Sequence, residues 1–182
     1  MEATLARELR AIYGAYEYLR EHDLTAVSST SRLLHERDLD ALGRRAHDEM
    51  AELRGVIAGS HGHGGGRDDV VLEAYQVLYW LTIVAVAAGD GYDDVRPDDA
   101  LAIPPSSGAA TEQSWAGNMD DWYDPPHRRA ALRAGLAAVA ALCATAGVAI
   151  DLPVQRDAAE LRSKPYLSSY WAHAGEDPDQ VG

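Results

Sequence analysis

The stretch "DDVVLEAYQVLYWLTIVAVAA", residues 68–88, decides the fold of this 182-residue chain. It is apolar around nearly its whole circumference, which is typical of a helix surrounded by other helices. Beyond its first turn, the strongly polar side chains are Glu73 and Gln76, one turn apart on the same face. We therefore predict a central helix over about 68–88 that carries a carboxylate into the interior.

Helical periodicity predicts two further helices before this one. Apolar residues at three- and four-residue spacing indicate helices over about 3–22 and 38–58, and Gly59 is expected to end the second. The predicted units are 1–101, a helical core; 102–126, a proline-rich loop or lid; and 127–182, a C-terminal helix and tail that pack on the same domain. The predicted fold class is all-α, a bundle of four or five helices.

Composition limits the class of protein. A formal charge of -13 argues against a nucleic-acid partner, because such binding relies on basic side chains. The most apolar stretches, 74–89 and 134–150, fall short of the roughly 18 to 20 apolar residues that a membrane span needs. The charged N-terminal segment does not resemble a signal peptide, and Cys143 is the only cysteine. We therefore expect a cytoplasmic protein with no membrane partner and no internal disulfide.

A glycine-rich segment, "GSHGHGGGRDD" at residues 59–69, joins the second and third predicted helices. Asp68 and Asp69 occupy the helix N-terminus that a phosphate-binding loop leaves for its anion, and no Gly-Lys-Ser/Thr follows. His61 and His63 offer only two of the ligands that a tight metal site needs. We interpret the segment as a hinge between antiparallel helices and expect the chemistry to lie on the helices.

Glu49 interrupts the apolar face of the second predicted helix, and Glu52 lies at the edge of that face beside Arg45. An isolated carboxylate among aliphatic side chains costs several kcal/mol, so Glu49 must be protonated, ion-paired or bound to a cation. Carboxylates that face one another from two helices suit a hard cation such as Mg²⁺ or Mn²⁺. For Glu49 and Glu73, both a metal site and a structural ion-pair network remain open.

Two segments, "DEMAEL" and, after a gap, "EAYQVLYWLTIVAVAAGDGYDDV", resemble the MazG-like group of all-α nucleoside triphosphate pyrophosphohydrolases. The pattern of that group is Glu-x-x-Glu, a variable gap, and Glu-x-x-Asp before an apolar helix that ends at a glycine. The resemblance implies that Glu49, Glu52 and Glu73 bind Mg²⁺. Gln76 stands where the pattern has Asp, which lowers the expected affinity, and Asp69, one turn before Glu73, is the candidate that restores the charge.

The resemblance also implies an activity. The expected reaction is hydrolysis of a nucleoside triphosphate, or a related nucleotide, between the α and β phosphates, with Mg²⁺ or Mn²⁺ as the cofactor. The catalytic residues would be the same three glutamates, one of which would also orient the attacking water. Because of Gln76, the alternative is a catalytically impaired relative that binds a nucleotide or a protein partner.

The remaining candidates are side chains for substrate binding. Arg96 and Lys164 are the cations considered for the phosphates, and Trp122 is considered either for stacking on a base or for packing against the bundle. Because short bundles with an apolar central helix often complete their core with a second copy, we expect a homodimer or larger homo-oligomer.

Overall fold

The computed structural model describes residues 2–60, 66–102 and 122–173 of the chain. These ranges contain helices and connecting segments but no strand, which confirms the all-α class. The helices are α1 (Glu2–Glu21), α2 (Ser29–Glu36), α3 (Leu39–Ile57), α4 (Arg67–Ala88), α5 (Tyr92–Val95), α6 (Pro97–Leu101), α7 (Pro125–Thr145), α8 (Asp151–Arg162) and α9 (Ser168–His173), with a 3-10 turn at Pro165–Leu167.

Helix α4 lies at the centre of the bundle, as its sequence predicts. It contacts α1, α2, α3, α7 and α8, and every side chain from Leu81 to Ala87 is buried. Helix α4 begins at Arg67, several residues before the apolar stretch that starts at residue 74, and is therefore longer than that stretch. Among the described residues it is the one helix long and apolar enough to cross a membrane, yet 67% of its most apolar window is buried inside the protein. That burial is consistent with a soluble protein.

Local capping explains where the long helices begin and end. The Asp38 side chain accepts a hydrogen bond from the Ala41 amide at 3.0 Å at the start of α3. Beyond the ends of α3 and α4, the chain passes through Gly59 and Gly89, whose φ angles of 71° and 91° suit glycine. The predicted helices over 3–22, 38–58 and 68–88 therefore agree with α1, α3 and α4 to within a residue at each end.

Sequence periodicity missed two helices that complete the bundle. Helix α2 packs on α1 and α4, and α8 packs across the same two helices. Helix α2 has only eight residues, and α8 carries Pro153 in its first turn, so neither shows a long apolar repeat. Five helices of 12 residues or more are present in the described ranges, at the upper end of the four or five expected.

A buried ion cluster joins the end of α4 to the start of α7. Asp90 accepts hydrogen bonds from Nε of Arg128 at 2.6 Å and from Nε of Arg129 at 2.7 Å. Asp90 and Arg128 are 2% and 5% exposed, so each needs the other as a buried counter-charge. This cluster holds the two helices together across the segment that separates them. Residues 103–121 of the predicted lid and 174–182 of the tail lie outside the described ranges.

Candidate metal centre

Helices α3 and α4 bring three glutamates together. The two helices pack along one another, and Glu49 in the second half of α3 meets Glu73 in the first half of α4. The second half of one helix meets the first half of the next in this way when two consecutive helices run antiparallel. Glu52, three residues after Glu49, adds a third carboxylate because residues at this spacing share a helix face.

The geometry of this carboxylate cluster fits a single cation. One oxygen from each of Glu49, Glu52 and Glu73 lies within 4.8 Å of the other two. Glu49 is 2% exposed and Glu73 is 1% exposed, while Glu52 is half-buried and gives the cluster access to its surroundings. Carboxylate oxygens in such an arrangement are the donors that hard divalent cations prefer. The residues present therefore fit a divalent metal ion.

Arg45 compensates part of this negative charge, and Trp80 packs against its guanidinium. Arg45 donates from Nη2 to Oε1 of Glu49 at 2.7 Å, and its guanidinium lies 5.3 Å from the centre of the Trp80 ring. Burial raises the pKa of Glu49 above its ordinary value. Arg45 and a hydrogen bond from Trp80 act in the opposite direction, and the neighbouring Glu52 and Glu73 raise the pKa further. The Arg45 side chain is 51% exposed, so this ion pair lies at the mouth of the cluster.

Gln76 and Asp69 lie on α4 near the cluster, but neither supplies one of its carboxylates. Gln76 donates from Nε2 to Oε2 of Glu73 at 3.3 Å, so its amide supports an acidic ligand. The backbone amide of Gly66 donates to Oδ2 of Asp69 at 3.4 Å, which places Asp69 in the capping of the first turn of α4. The helix does begin early enough for Asp69 to be helical, because its first residue is Arg67.

The two cations considered for phosphate binding lie elsewhere. Arg96 follows the C-terminal end of α4, and about 22 Å of helix separates Glu73 from that end. It pairs with Asp99 at 2.5 Å and lines a cleft of about 620 Å³ beside α1.

Lys164 pairs with Glu160 at 2.5 Å in a different cleft of about 210 Å³. Tyr75 and Tyr79 of α4 also line that cleft. They are two and six residues beyond Glu73, which puts them on the other side of the helix from it. Neither Arg96 nor Lys164 therefore belongs to the carboxylate cluster.

Trp122 is part of the core. Its side chain is 2% exposed and its indole ring packs so closely against Gly43 of α3 that a Cβ atom at this glycine would lie only 2.1 Å from Nε1. Packing against the bundle, one of the two fates considered for Trp122, is the one observed. His61 and His63 lie outside the described residues.

Sequence reasoning did not assign Arg45 and Trp80 to the site. A signal for Arg45 was available, because it precedes Glu49 by four residues, the spacing at which oppositely charged side chains meet on a helix. The sequence carries no comparable signal for Trp80, since its contact with Arg45 depends on how α3 and α4 pack.

Comparison with known proteins returned no family model, curated protein or solved structure that matches this chain. The carboxylate cluster and the sequence pattern that contains it are the features of this chain that point to a function.

Proposed function

We propose that this protein is a Mg²⁺-dependent nucleotide pyrophosphohydrolase of the MazG-like, all-α type, which cleaves nucleoside triphosphates or related nucleotides between the α and β phosphates. The observation that carries the proposal is the meeting of Glu49, Glu52 and Glu73 from two facing helices within 4.8 Å. Two of the three are almost completely buried, and buried like charges require a cation or a proton. Mn²⁺ would be accepted by the same oxygen donors.

In the proposed mechanism the three glutamates would hold the metal ion, which when bound would supply positive charge against the phosphate oxygens of the substrate. A carboxylate of the cluster orients the attacking water and accepts its proton. Gln76 keeps Glu73 in place through its amide hydrogen bond. The half-buried Glu52 lies where the cluster can be reached from outside, so the substrate would approach from that side.

A second candidate function is a nucleotide-binding or protein-interaction scaffold without catalysis. The observation that favours it is Gln76, whose neutral amide replaces the aspartate of the resembled pattern and is hydrogen-bonded to Glu73. With three carboxylates in place of four, metal affinity is lower, and a scaffold would not need the metal at all.

The deciding experiment is pyrophosphate release from a panel of canonical and modified nucleoside triphosphates and phosphoribosyl-ATP, with Mg²⁺ or Mn²⁺. The wild type is compared with Glu49→Gln, and Asp48→Asn, an exposed neighbour on α3, is the matched control. We expect turnover in the wild type and the control, and a loss of about 100-fold or more in Glu49→Gln. Folded wild-type protein that releases no pyrophosphate from any substrate would reject the hydrolase and favour the scaffold.

The apolar central helix and the cysteine content support two further proposals, a homodimer or larger homo-oligomer and a cytoplasmic location. Light scattering of the purified protein tests the first, and a monomer at micromolar concentration would contradict it. Fractionation of cells that express the full chain tests the second. The nucleotide partner is tested by the same substrate panel.

A further inference from the structure

Among the described residues, Arg45 is a cation in direct contact with the carboxylate cluster. Its Nη2 atom lies 2.7 Å from Oε1 of Glu49, and the side chain is 51% exposed where that of Glu49 is 2% exposed. The guanidinium therefore reaches from a buried carboxylate to the surface. The guanidinium also lies over the ring of Trp80, which holds it in place by a cation–π contact.

Most N–H groups of Arg45 make no hydrogen bond to another described residue and remain available to a ligand. A guanidinium has five N–H donors, and within residues 2–60, 66–102 and 122–173 the bond to Glu49 is the one that Arg45 makes. Its planar fork matches the geometry of phosphate oxygens, which it can bind through two parallel hydrogen bonds. Because Glu49 and Trp80 hold it in position, little side-chain freedom remains to be lost when an anion binds.

The charge of the site favours such a group for an anionic substrate. Three carboxylates repel a polyphosphate, and one divalent cation does not balance both. The cations expected from the sequence, Arg96 and Lys164, lie in other clefts and pair with other acids. Arg45 is in contact with the cluster itself.

We propose that Arg45 is the phosphate-binding residue of this site, positioned by Glu49 and Trp80 so that its free N–H groups hold the polyphosphate of the substrate beside the metal. This inference rests on the proposed function. It adds the group that recognises the substrate's anionic chain, and it predicts that the polyphosphate enters next to the exposed edge of α3 where Arg45 lies.

The test uses the full chain and measures two bindings separately: Mn²⁺ alone, from the loss of free-ion paramagnetic resonance signal, and inorganic tripolyphosphate in the presence of Mn²⁺, by calorimetry. The variants are Arg45→Gln, Arg45→Lys and the control Arg44→Gln, which alters an exposed arginine next in sequence with no ion pair in the described part of the chain. Circular dichroism checks that each variant is folded.

We expect Arg45→Gln to weaken tripolyphosphate binding by about tenfold or more while Mn²⁺ binding is kept or tightened, because the competing guanidinium has left Glu49. Arg45→Lys should recover only part of the loss, since lysine lacks the planar fork. Arg44→Gln should bind both ligands like the wild type.

Three results would overturn the inference, and they separate it from the proposed function. Unchanged tripolyphosphate binding in Arg45→Gln rejects the phosphate role while leaving the metal site intact. A parallel loss of Mn²⁺ binding shows instead that Arg45 organises Glu49. Wild-type protein that binds no Mn²⁺ rejects the proposed function, and the inference falls with it.

Discussion

Gln76 donates a hydrogen bond to Oε2 of Glu73 at 3.3 Å, so the residue that replaces an aspartate of the resembled pattern supports a carboxylate and does not add one. The amide stabilises the ionised glutamate without a second negative charge in a nearly closed site. Compared with an aspartate at position 76, the glutamine therefore lowers the electrostatic repulsion within the cluster when no metal is bound. It also implies a weaker metal site than four carboxylates would form.

Replacing Gln76 with Asp should therefore have opposite effects with and without metal. Without metal, the added charge and the lost donor should lower the melting temperature. Mn²⁺ should bind about tenfold more tightly, equivalent to about 1.4 kcal/mol. Thermal melts across an Mn²⁺ titration measure both effects. The control is Gln155→Asp, which alters an exposed glutamine on α8 that also donates to a carboxylate, that of Asp151. A metal-induced shift no larger than that of the wild type would contradict the prediction.

Asp157 should give the protein a distinctive pH dependence. Burial raises the pKa of Asp157 to about 7, although the hydrogen bond from the Tyr16 hydroxyl, 2.7 Å long, lowers it. The unfolded chain releases this proton near pH 4. Between about pH 4 and 7 the folded protein thus holds a proton that the unfolded chain has lost, so this group's contribution to stability falls as the pH rises through that window.

Asp157→Asn should remove this decrease in stability with rising pH. Relative to the wild type, the variant should gain up to about 4 kcal/mol in free energy of unfolding between pH 4 and pH 8, because each pKa unit corresponds to about 1.4 kcal/mol. Urea unfolding at a series of pH values measures the difference directly. Asp151→Asn, at the start of the same helix, is the matched comparison, and a flat difference between Asp157→Asn and the wild type across this pH range would disprove the assignment.

Removal of Asp90 should be costly because it leaves Arg128 buried without its counter-charge. Arg128 is 5% exposed and also donates to the Trp122 carbonyl at 2.8 Å. Breaking a buried pair from one side typically costs about 3 to 5 kcal/mol. Chemical denaturation of Asp90→Asn tests this value.

The matched control is Asp93→Asn, which breaks the exposed pair with Arg10. Those side chains are 83% and 61% exposed, so the change should stay within about 0.5 kcal/mol. Equal costs for the two variants would show that the Asp90 cluster does not hold α4 to α7.

The contact between Gly43 and Trp122 should tolerate no added methyl group. A Cβ atom at Gly43 would lie 2.1 Å from Nε1 of Trp122, so Gly43→Ala forces the indole to move. We expect a loss of about 1 to 3 kcal/mol, despite the better helix propensity of alanine. A double-mutant cycle with Trp122→Leu measures the coupling in denaturation experiments. If the losses in free energy of unfolding for the two substitutions were strictly additive, the indole ring and Gly43 would not be in direct contact.

The long helices were predictable because each carries its own local signals. The apolar repeat of α3, its Asp38 cap and Gly59 beyond its end all lie within one stretch of sequence. Helix α4 was recognisable as the central helix because it has almost no polar side. In contrast, α2 and α8 are short, and their stability comes from packing against α1 and α4. Helix α2 has a local signal at its start, the Ser28 N-cap, but neither helix is long enough to show a repeated apolar pattern.

The residues of the candidate site likewise fall into those whose positions local sequence patterns predict and those whose positions depend on packing. Periodicity alone put Glu49 on an apolar face and made Glu73 the sole acid of the apolar part of α4, so both were identifiable as buried acids. Arg96, Lys164 and Trp122 were chosen by residue type, and residue type does not say on which side of a helix bundle a side chain lies. In the structure, Arg96 and Lys164 line two separate clefts, and Trp122 lies in the core.

The all-α class, the boundaries of the long helices and the presence of buried carboxylates follow from the amino-acid sequence alone, because hydrophobic periodicity and helix caps act over a few residues. The packed bundle determines that Glu49, Glu52 and Glu73 meet within 4.8 Å and that Arg45, not Arg96 or Lys164, accompanies them. The physical reason is that distances between helices depend on side-chain packing across the whole bundle. That packing is shared among residues far apart in the chain, and no single stretch encodes it.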